Sequence, residues 1–340
     1  MTPPRAPRPH EPITEQEMLQ LLMGASNSTT LGFSGIGWQL LKEACLGQDK
    51  VWEGLGGTLI VVFEACLVLG HHPAIWKQAT VTVIPKPGKT NYTRAKDHRP
   101  ISLLETMSKL LEKIIAKRLQ HDIVAHELIP TTQFGGRMHS SCLDAGLMLL
   151  HNIQRAHSVG LKCGILLFDV KGFFDHVNHN RLVAVLQNLG FSLEVVGWTV
   201  EFLQNRKVRL RFNGIVSEER DQQVGVPQGS PLSPVLSIMY TSPLLHKMGS
   251  WNNSLLGMYV DDGILFACAP EWDGVTSLLW ARYTVCDDWL RKSGLAIEPE
   301  KTEAMFFQKP GSRNQVPPQP GSSYRTGQQI HTIRSCPRKP

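Results

Sequence analysis

Acidic residues follow apolar runs at two distant places in the chain, and this pattern restricts the fold more than any other feature. Ile165–Phe168 is a continuous apolar run that ends at Asp169, and two further apolar runs flank a turn that carries Asp261 and Asp262. Such runs predict buried strands, the second pair forming a hairpin. Burying a carboxylate is costly unless a partner neutralises it. A lone aspartate after a strand is usually a cap or turn residue, but three acids in two such places favour divalent metal ions, which bind oxygen ligands.

Hydrophobic periodicity and turn residues predict an α+β protein. Helices are predicted from a cap at Thr14 onward and over 38–45, 55–70, 103–119, 142–155, 182–189 and 195–203, and strands over 81–84, 165–168, 207–212, 255–259 and 263–267. The helix over 103–119 combines apolar residues at 3-4 spacing with lysines on the opposite face. The strand over 207–212 alternates, so that one face is basic and the other apolar.

The basic residues are unevenly distributed. The formal net charge is +6, but residues 310–340 contain five lysines and arginines and no acid. Overall basicity therefore does not identify a nucleic-acid-binding protein. Residues 86–118 hold nine basic residues against three acids, and this excess predicts a local surface for phosphate groups.

The cysteines and the apolar segments exclude several protein classes. The seven cysteines have no C-x-x-C spacing, so the sequence predicts neither a zinc site nor a disulfide framework. The N-terminus lacks the apolar core of a secretory signal. The apolar stretch 55–70 is interrupted by Glu64 and is too short to span a bilayer comfortably, so we expect a buried helix there. These features predict an intracellular protein, nuclear or cytoplasmic, with no membrane partner.

Six short blocks follow one another in a characteristic order. They are Lys-Pro-Gly-Lys (86–89), Arg-Pro-Ile-Ser-Leu-Leu (99–104), Phe-Asp-Val-Lys-Gly-Phe-Phe-Asp (168–175), Gly-Val-Pro-Gln-Gly-Ser-Pro-Leu-Ser-Pro (225–234), Tyr-Val-Asp-Asp (259–262) and Lys-Thr (301–302). Together they resemble the reverse transcriptases of non-LTR (LINE-type) retrotransposons. The resemblance runs from about residue 13 to residue 307.

This resemblance implies both a fold and an activity. The fold is a right-hand polymerase with mixed fingers and a palm in which an antiparallel sheet packs on helices. The activity is RNA-directed DNA polymerisation, in which deoxynucleotides are added to the 3′-end of a DNA primer on an RNA template. The cofactors implied are two Mg²⁺ ions, for which Mn²⁺ can substitute.

The resemblance also implies catalytic roles. Asp169 and Asp261 correspond to the carboxylates that bridge the two ions, with the carbonyl of Val170 as a further ligand. Asp262 is the adjacent carboxylate. Lys301 corresponds to a lysine that protonates the pyrophosphate leaving group, although an ordinary surface lysine is the alternative.

A second set of residues corresponds to the nucleotide-binding positions. Lys86 and Arg99 match residues that hold the triphosphate, and a generally cationic surface is the alternative. Phe174 matches the ribose gate, a bulky ring that excludes a 2′-hydroxyl, and its alternative is a core phenylalanine. Gln228 and Gly229 match a turn that contacts the nucleotide and template, where glycine permits close backbone approach.

Contacts to the template and primer are expected from another group. Arg206, Arg209 and Arg211 are expected to face the nucleic-acid backbone, because Arg and Lys supply many phosphate contacts. Tyr259 is expected near the primer end, and Asp175 is expected to be a helix N-cap rather than a metal ligand.

The same pattern suggests an organisation along the chain. We expect a disordered N-terminal segment, fingers, a palm and a disordered basic tail over 1–12, 13–160, 161–308 and 309–340, with the thumb largely missing. The loop at 31–36 also departs from the Pro-Gly-Pro-Asp-Gly-Ile-like loop that is usual in this family. Two rival hypotheses are therefore kept. One is a truncated or decayed retroelement copy that folds and binds nucleic acid without catalysis; the other, less favoured, is a group II intron maturase-like protein.

Overall fold

The computed structural model describes residues 4–46, 54–88, 91–249, 253–307, 323–326 and 329–332. The chain divides into two compact units, each built from two separate segments. Met1–Asp122 and Phe174–Leu236 form the first unit, and Ile123–Phe173 and Ser237–Pro340 form the second. The predicted boundaries of fingers and palm remain predictions.

Helices and strands alternate irregularly along the described residues, which confirms the α+β class. The helices are α1 (Glu15–Met23), α2 (Trp38–Cys45), α3 (Gly56–Val68), α4 (Thr106–Ala125), α5 (Cys142–Ser158), α6 (His179–Asn188), α7 (Leu193–Leu203), α8 (Ser233–Met248) and α9 (Trp272–Lys292). The strands are β1 (Gln78–Pro85), β2 (His98–Leu103), β3 (Lys162–Asp169), β4 (Arg206–Phe212), β5 (Ile215–Val216), β6 (Arg220–Gln222), β7 (Ser254–Tyr259), β8 (Asp262–Ala269), β9 (Glu303–Phe307), β10 (Ser323–Thr326) and β11 (Gln329–Thr332). The hairpin predicted over 255–267 is thereby confirmed as β7–β8, and the helix predicted over 103–119 is confirmed as α4.

Each unit contains its own sheet. The sheet of the first unit has the order β2-β1-β4-β5, with β6 paired to β4. In it, β1 is antiparallel to β2 and parallel to β4. The sheet of the second unit has the order β7-β8-β3-β9 and is antiparallel throughout. Helices α5 and α9 pack on it, which matches the expected palm architecture.

The buried surface of α4 is wider than its apolar spacing predicts. Ser108 and Glu112 are fully buried along with the leucines and isoleucines. Lys109 is half-buried, and the ammonium of Lys113 lies 4.8 Å from the ring centroid of Trp38. The lysines of this helix therefore do not form a freely solvated face.

Helix α3 was expected to be buried, but only one side of it is. Phe63, Cys66 and Leu67 are buried, whereas Val61 and Val68 are exposed. No helix within the described ranges combines the length and the apolar character that a membrane crossing requires.

Residues 4–13, here called the N-terminal strap, differ from the disorder expected for 1–12. The amides of Arg5 and Arg8 donate to the carbonyls of Asn188 and Gly190, at 3.1 and 3.0 Å. Asn188 is the last residue of α6, where backbone acceptors lack helical partners, and Gly190 lies two residues beyond it. Proline-rich composition did not prevent order here, because the strap satisfies these acceptors.

Side chains fix the strap in two further places. The guanidinium of Arg8 donates to Asp122 at 2.9 Å and lies 4.6 Å from the ring centroid of Phe191. The ring of His10 lies 2.5 Å from the carboxylate of Glu64. Glu64, the one acid inside the apolar run of α3, thus serves as an attachment point for the strap.

Replacing Arg8 by alanine is expected to destabilise the first unit. The change removes a charged hydrogen bond and a cation–ring contact, so the free energy of unfolding should fall by about 1–3 kcal/mol. Urea unfolding followed by tryptophan fluorescence measures the change. Arg291→Ala, which removes an exposed pair with Asp287 on α9, is the control and should cost about 0.5 kcal/mol or less. Equal effects of the two changes would contradict a structural role for the strap.

The tail expected to be disordered is described only in part. Within it, β10 and β11 pair antiparallel from Ser323 opposite Thr332 to Thr326 opposite Gln329. These residues are paired rather than disordered, and the other residues beyond 307 lie outside the described ranges.

Candidate active site

The register of the second sheet brings the predicted acids to one end of it. Strands β3 and β8 pair over their whole length, and the last pair is Asp169 opposite Asp262. The β7–β8 turn places Asp261 beside this pair, and the amide of Val170 donates to the Asp261 carbonyl at 3.0 Å. Tyr259, the last residue of β7, pairs with Asp262 and is partly exposed at 41%. The three acids and Val170 are therefore neighbours within the second unit.

The turn itself is held in an unusual backbone conformation. Val260 has φ = 59°, a region that is strained for a β-branched residue. The residue after the acids, Gly263, lies under the buried ring of Phe168, its partner on β3. A Cβ atom at Gly263 would lie 2.1 Å from the Phe168 Cζ atom. The close approach of the two strands next to Asp169 thus requires glycine at this position.

Gly263→Ala is expected to displace the Phe168 ring and loosen the end of the sheet that carries the acids. Overpacking of this kind should lower the free energy of unfolding by about 1–3 kcal/mol. The matched control is Gly146→Ala on α5, where an added Cβ meets nothing within 4 Å and where alanine should stabilise the helix by up to about 1 kcal/mol. Thermal unfolding of both variants tests the pair, and an unchanged melting temperature for Gly263→Ala would refute the packing argument.

The negative charges of these acids repel one another, which disfavours the ionised forms of Asp261 and Asp262. Burial raises the pKa of Asp261, and the nearby charges of Asp262 and Asp169 raise it further. Burial also raises the pKa of Asp262, as does the charge of Asp169. The ammonium of Lys301 opposes both shifts. A site with several carboxylates and one cation has spare negative charge for a further cation.

Lys301 is placed beside the acids by a short turn. The amide of Glu298 donates to the carbonyl of Asp169 at 2.8 Å, and the single-turn helix Pro299–Lys301 follows. The Nζ atom of Lys301 then lies 2.8 Å from a carboxylate oxygen of Asp169. This hydrogen bond raises the pKa of Lys301, so its amine is protonated at neutral pH.

The donor atoms fit a hard divalent cation. In the described part of the chain, no three Asp, Glu, His or Cys side chains form a ready-made metal cage. Mg²⁺ does not require one, because it is commonly bound by one or two carboxylates together with substrate phosphates. The carboxylates of Asp169 and Asp261 and the carbonyl of Val170 are oxygen donors of the kind that such an ion binds. The composition of the site therefore agrees with a metal shared between protein and substrate.

Comparison with known proteins identifies the family. The profile of the family described as reverse transcriptase (RNA-dependent DNA polymerase) matches residues 84–329. The chain belongs to the reverse transcriptase family. This family generally uses divalent metal ions, which agrees with the donor atoms described above.

Relatives with similar sequences come from mobile elements, which confirms the similarity to reverse transcriptases of non-LTR retrotransposons. A probable RNA-directed DNA polymerase from transposon BS of Drosophila melanogaster is 31% identical over 252 residues, 72% of this chain and 27% of the relative. The Pol polyprotein of the type-1 retrotransposable element R2 of Popillia japonica is 30% identical, over 71% of this chain and 31% of that protein. The chain thus spans about a third or less of the length of these relatives.

Solved structures show the same fold. Telomerase from Candida tropicalis in complex with a fragment of telomeric RNA superimposes with a TM-score of 0.52 at 14% identity, over 80% of this chain and 48% of the telomerase. The apo form truncated from its C-terminal domain gives a TM-score of 0.50 at 16% identity, over 71% and 52%. These similarities support the right-hand polymerase fold predicted for this reverse transcriptase.

The predicted triphosphate-binding residues lie at one end of the β1–β2 ladder. Lys86 directly follows β1, and its amide donates to the carbonyl of Asp97 at 2.9 Å. Arg99 is exposed on β2 and pairs with Ile84. Lys89, the last residue of the Lys-Pro-Gly-Lys block, lies outside the described residues. The binding roles of Lys86 and Arg99 remain predictions.

Phe174 and the Gln228–Gly229 turn meet within the first unit. Phe174 is half-buried in the short helix Phe173–His176, and its carbonyl accepts from the amide of Val226 at 2.7 Å. The side-chain amide of Gln228 donates to Asp175 at 2.8 Å. Asp175 is therefore not the N-cap of α6, a position that Asn178 occupies.

Arg206 does not occupy the position expected for it. It is buried with 1% exposure, and it donates to the carbonyl of Phe202 at 3.0 Å. Its assignment to the nucleic-acid backbone is therefore wrong. Arg209 and Arg211 are exposed on β4, in agreement with the basic face predicted there, although Arg209 also pairs with Glu219 at 3.3 Å.

Ion pairs reduce the positive charge of the basic segment 86–118, for which a local phosphate surface was predicted. Arg94 pairs with Asp97 at 3.2 Å, and Arg118 pairs with Glu17 at 2.7 Å. Part of the positive charge is thus neutralised within the first unit.

Two polar residues were not singled out from the sequence. Glu112 lies on the buried side of α4, and Ser230 follows the Gln228–Gly229 turn. The sequence signal for Glu112 was its position between closely spaced apolar residues, because a charge buried among them needs a partner.

Proposed function

We propose that this chain is the polymerase module of a non-LTR retrotransposon reverse transcriptase. It adds deoxynucleotides to the 3′-end of a DNA primer, directed by an RNA template. The observation that carries the proposal is the register of β3 and β8, which sets Asp169 opposite Asp262 with Asp261 beside them. The sequence relatives named as RNA-directed DNA polymerases support it, as does the fold shared with an RNA-bound telomerase.

In this proposal Asp169, Asp261 and the Val170 carbonyl would hold two Mg²⁺ ions, with Mn²⁺ as a substitute, and Asp262 would add negative charge beside them. Such ions activate a 3′-hydroxyl and stabilise a departing pyrophosphate. Lys301 holds a proton at its Nζ atom beside Asp169 and can give it to the leaving pyrophosphate. Asp169 accepts a hydrogen bond from that ammonium and so keeps the proton donor close to the reacting groups.

Primer extension tests the proposal directly. The chain is mixed with an RNA template, a labelled DNA primer, deoxynucleotides and Mg²⁺ or Mn²⁺, with a chelator in a parallel reaction. We expect addition of deoxynucleotides that requires the metal. A folded chain that binds the RNA–DNA duplex but adds no nucleotide with either metal would overturn the proposal and favour the decayed copy without catalysis.

Within the same proposal, the first unit binds and selects the nucleotide. Lys86 and Arg99 hold the triphosphate, Gln228 and Gly229 contact the nucleotide and template, and Phe174 excludes the 2′-hydroxyl. The exposed Arg209, Arg211 and Tyr259 supply contacts to template and primer. Lys86→Ala and Arg99→Ala would then raise the KM for the nucleotide, because a phosphate contact is lost.

Phe174→Ala is expected to admit ribonucleotides. Removing the ring removes the clash with a 2′-hydroxyl, and steric discrimination of this kind is worth about 10–200-fold in kcat/KM. Use of deoxynucleotides should change little. Phe212→Ala, at a partly exposed phenylalanine of β4, is the control and should leave discrimination as it is. If Phe174→Ala leaves discrimination unchanged, Phe174 is a packing residue only.

A further inference from the structure

A buried polar cluster joins α4 to the Gln228–Gly229 turn. Glu112 of α4 is fully buried. Ser108, one turn earlier in α4, donates its hydroxyl to one carboxylate oxygen of Glu112 at 2.5 Å. Ser230 donates its hydroxyl to the other oxygen, also at 2.5 Å. Glu112 therefore accepts two similar hydrogen bonds, one from a residue of its own helix and one from Ser230 outside it.

The guanidinium of Arg206, which is also buried, favours the ionised form of Glu112. Burial raises the pKa of Glu112, and the two serine hydroxyls and the charge of Arg206 oppose this. Burial lowers the pKa of Arg206 to about 10, and the charge of Glu112 opposes that shift. Arg206 is thus positively charged at neutral pH, and its guanidinium lies 4.9 Å from the ring centroid of Phe202. Buried charges of opposite sign are tolerated because each offsets the cost of burying the other.

The segment 227–230, here called the glutamine turn, is fixed on other sides as well. The amide of Ser102 in β2 donates to the Gln228 carbonyl at 2.5 Å. Gly229 has φ = +132°, and a Cβ atom there would lie 2.4 Å from the Ser102 carbonyl oxygen. The hydroxyl of Ser230 also accepts from the amide of Leu232 at 3.1 Å. Ser230 is therefore the point at which the glutamine turn is tied to α4.

We propose that Glu112 positions the glutamine turn through Ser230 and thereby sets the affinity for the incoming nucleotide. Glu112 acts as a positioning residue, because it reaches the turn only through Ser230. Without the Ser230 hydroxyl, the turn loses its connection to α4 and samples more conformations, only some of which match the nucleotide. The effect on nucleotide affinity rests on the proposed polymerase function, but the effect on the turn does not.

Hydrogen exchange in the full chain tests the positioning step without activity. Ser230→Ala should speed exchange of the Ser102 and Leu232 amides by about tenfold or more, because their acceptors are loosened or lost. Ser108→Ala is the matched control, since it removes the same kind of hydroxyl contact to Glu112 without touching the turn. It should leave both amides as slow as in the parent chain. Glu112→Gln, which removes the charge but keeps the shape, should act on the turn in the same direction as Ser230→Ala.

Steady-state kinetics test the second step. Ser230→Ala should raise the KM for deoxynucleotides by about fivefold or more while kcat stays within about twofold, because binding rather than chemistry is affected. Ser108→Ala should change neither parameter. A general loss of stability would lower the active fraction, and so kcat, in both variants without raising KM.

The outcomes separate the two steps. Unchanged exchange in Ser230→Ala overturns the positioning role, whatever the activity. Faster exchange with an unchanged KM overturns the link to nucleotide affinity. If the parent chain adds no nucleotide at all, the proposed function fails, and the exchange rates still decide whether Glu112 holds the turn.

Discussion

Asp169→Asn and Asp261→Asn are each expected to reduce primer extension by about a thousandfold or more, since each removes a group of the proposed catalytic unit. Both changes keep the shape of the side chain and remove a charged oxygen ligand. Asp262→Asn should have a smaller effect, because Asp262 is more exposed and lies beside the proposed bridging pair. Primer extension on an RNA template, at matched concentrations of folded protein, measures the loss.

Asp261→Asn should lower the activity without lowering the stability of the folded chain. Burial and neighbouring charge raise the pKa of this carboxyl, so its ionised form destabilises the folded chain at neutral pH. The neutral amide of Asp261→Asn relieves that cost, and the melting temperature should stay the same or rise. Asp287→Asn, an acid on α9 paired with Arg291, is the control and should leave primer extension unchanged. Full activity in Asp169→Asn or Asp261→Asn would exclude the proposed metal site.

The sequence was sufficient to predict that these acids lie close together, because strand patterns are local. Apolar runs that end in acids predicted β3, β7 and β8, and pairing of these strands leaves few alternatives for where Asp169 and Asp261 can lie. The pairing of Val170 with Asp261 and the hydrogen bond between Lys301 and Asp169 depend on contacts between distant segments. Only the resemblance to a family suggested a role for Lys301, since a lone lysine carries no pattern.

The wrong assignment of Arg206 has a simple cause. Side chains alternate along a strand, so Arg206 cannot face the same side of β4 as Arg209 and Arg211. The alternation already recognised over 207–212 contained this information. What the pattern could not supply was the buried surroundings of Arg206, where the guanidinium donates to the carbonyl of Phe202 and lies 4.9 Å from its ring centroid.

The N-terminal strap was missed for a different reason. Proline-rich, weakly apolar segments usually lack enough burial to order themselves. Here the order comes from main-chain hydrogen bonds to the end of α6 and from the attachment of Arg8 to Asp122. Neither is visible in composition, because both depend on where the helix ends lie in space.

A buried histidine gives the second large expected effect, on the dependence of stability on pH. His72 has no exposed surface, and its ring contacts Trp76, Trp198 and Phe202 edge to face, with centroids 5.6, 5.2 and 5.4 Å away. Burial lowers its pKa from 6.5 to about 2, and the nearby charges of Arg206, Lys77 and His71 contribute to the shift. The ring is therefore neutral in the folded chain across the ordinary pH range.

The sign of the effect follows from proton uptake. Below pH 6.5 the unfolded chain protonates His72 and the folded chain does not, so the unfolded state binds more protons. Stability from this residue is fully present above pH 6.5 and is lost as the pH falls towards 2. Between pH 7.5 and pH 4 the loss amounts to about 3 kcal/mol for this residue alone. The raised pKa values of Asp261 and Asp262 act in the opposite direction, so the parent curve alone does not isolate the contribution of His72.

The variant His72→Phe isolates the contribution of His72 to the pH dependence of stability. The variant keeps an aromatic ring among the same neighbours and has nothing to protonate, so its stability at pH 7.5 should lie within about 1.5 kcal/mol of the parent. Between pH 7.5 and pH 4, the free energy of unfolding of the parent should fall by about 3 kcal/mol more than that of His72→Phe. Urea unfolding at pH 7.5, 6, 5 and 4 gives both curves, and His121→Gln, at a histidine whose side chain is 77% exposed, should follow the parent. Parallel curves for His72→Phe and the parent would mean that the folded chain admits a proton or water to His72, and that the aromatic cluster of the first unit opens in acid before the chain unfolds.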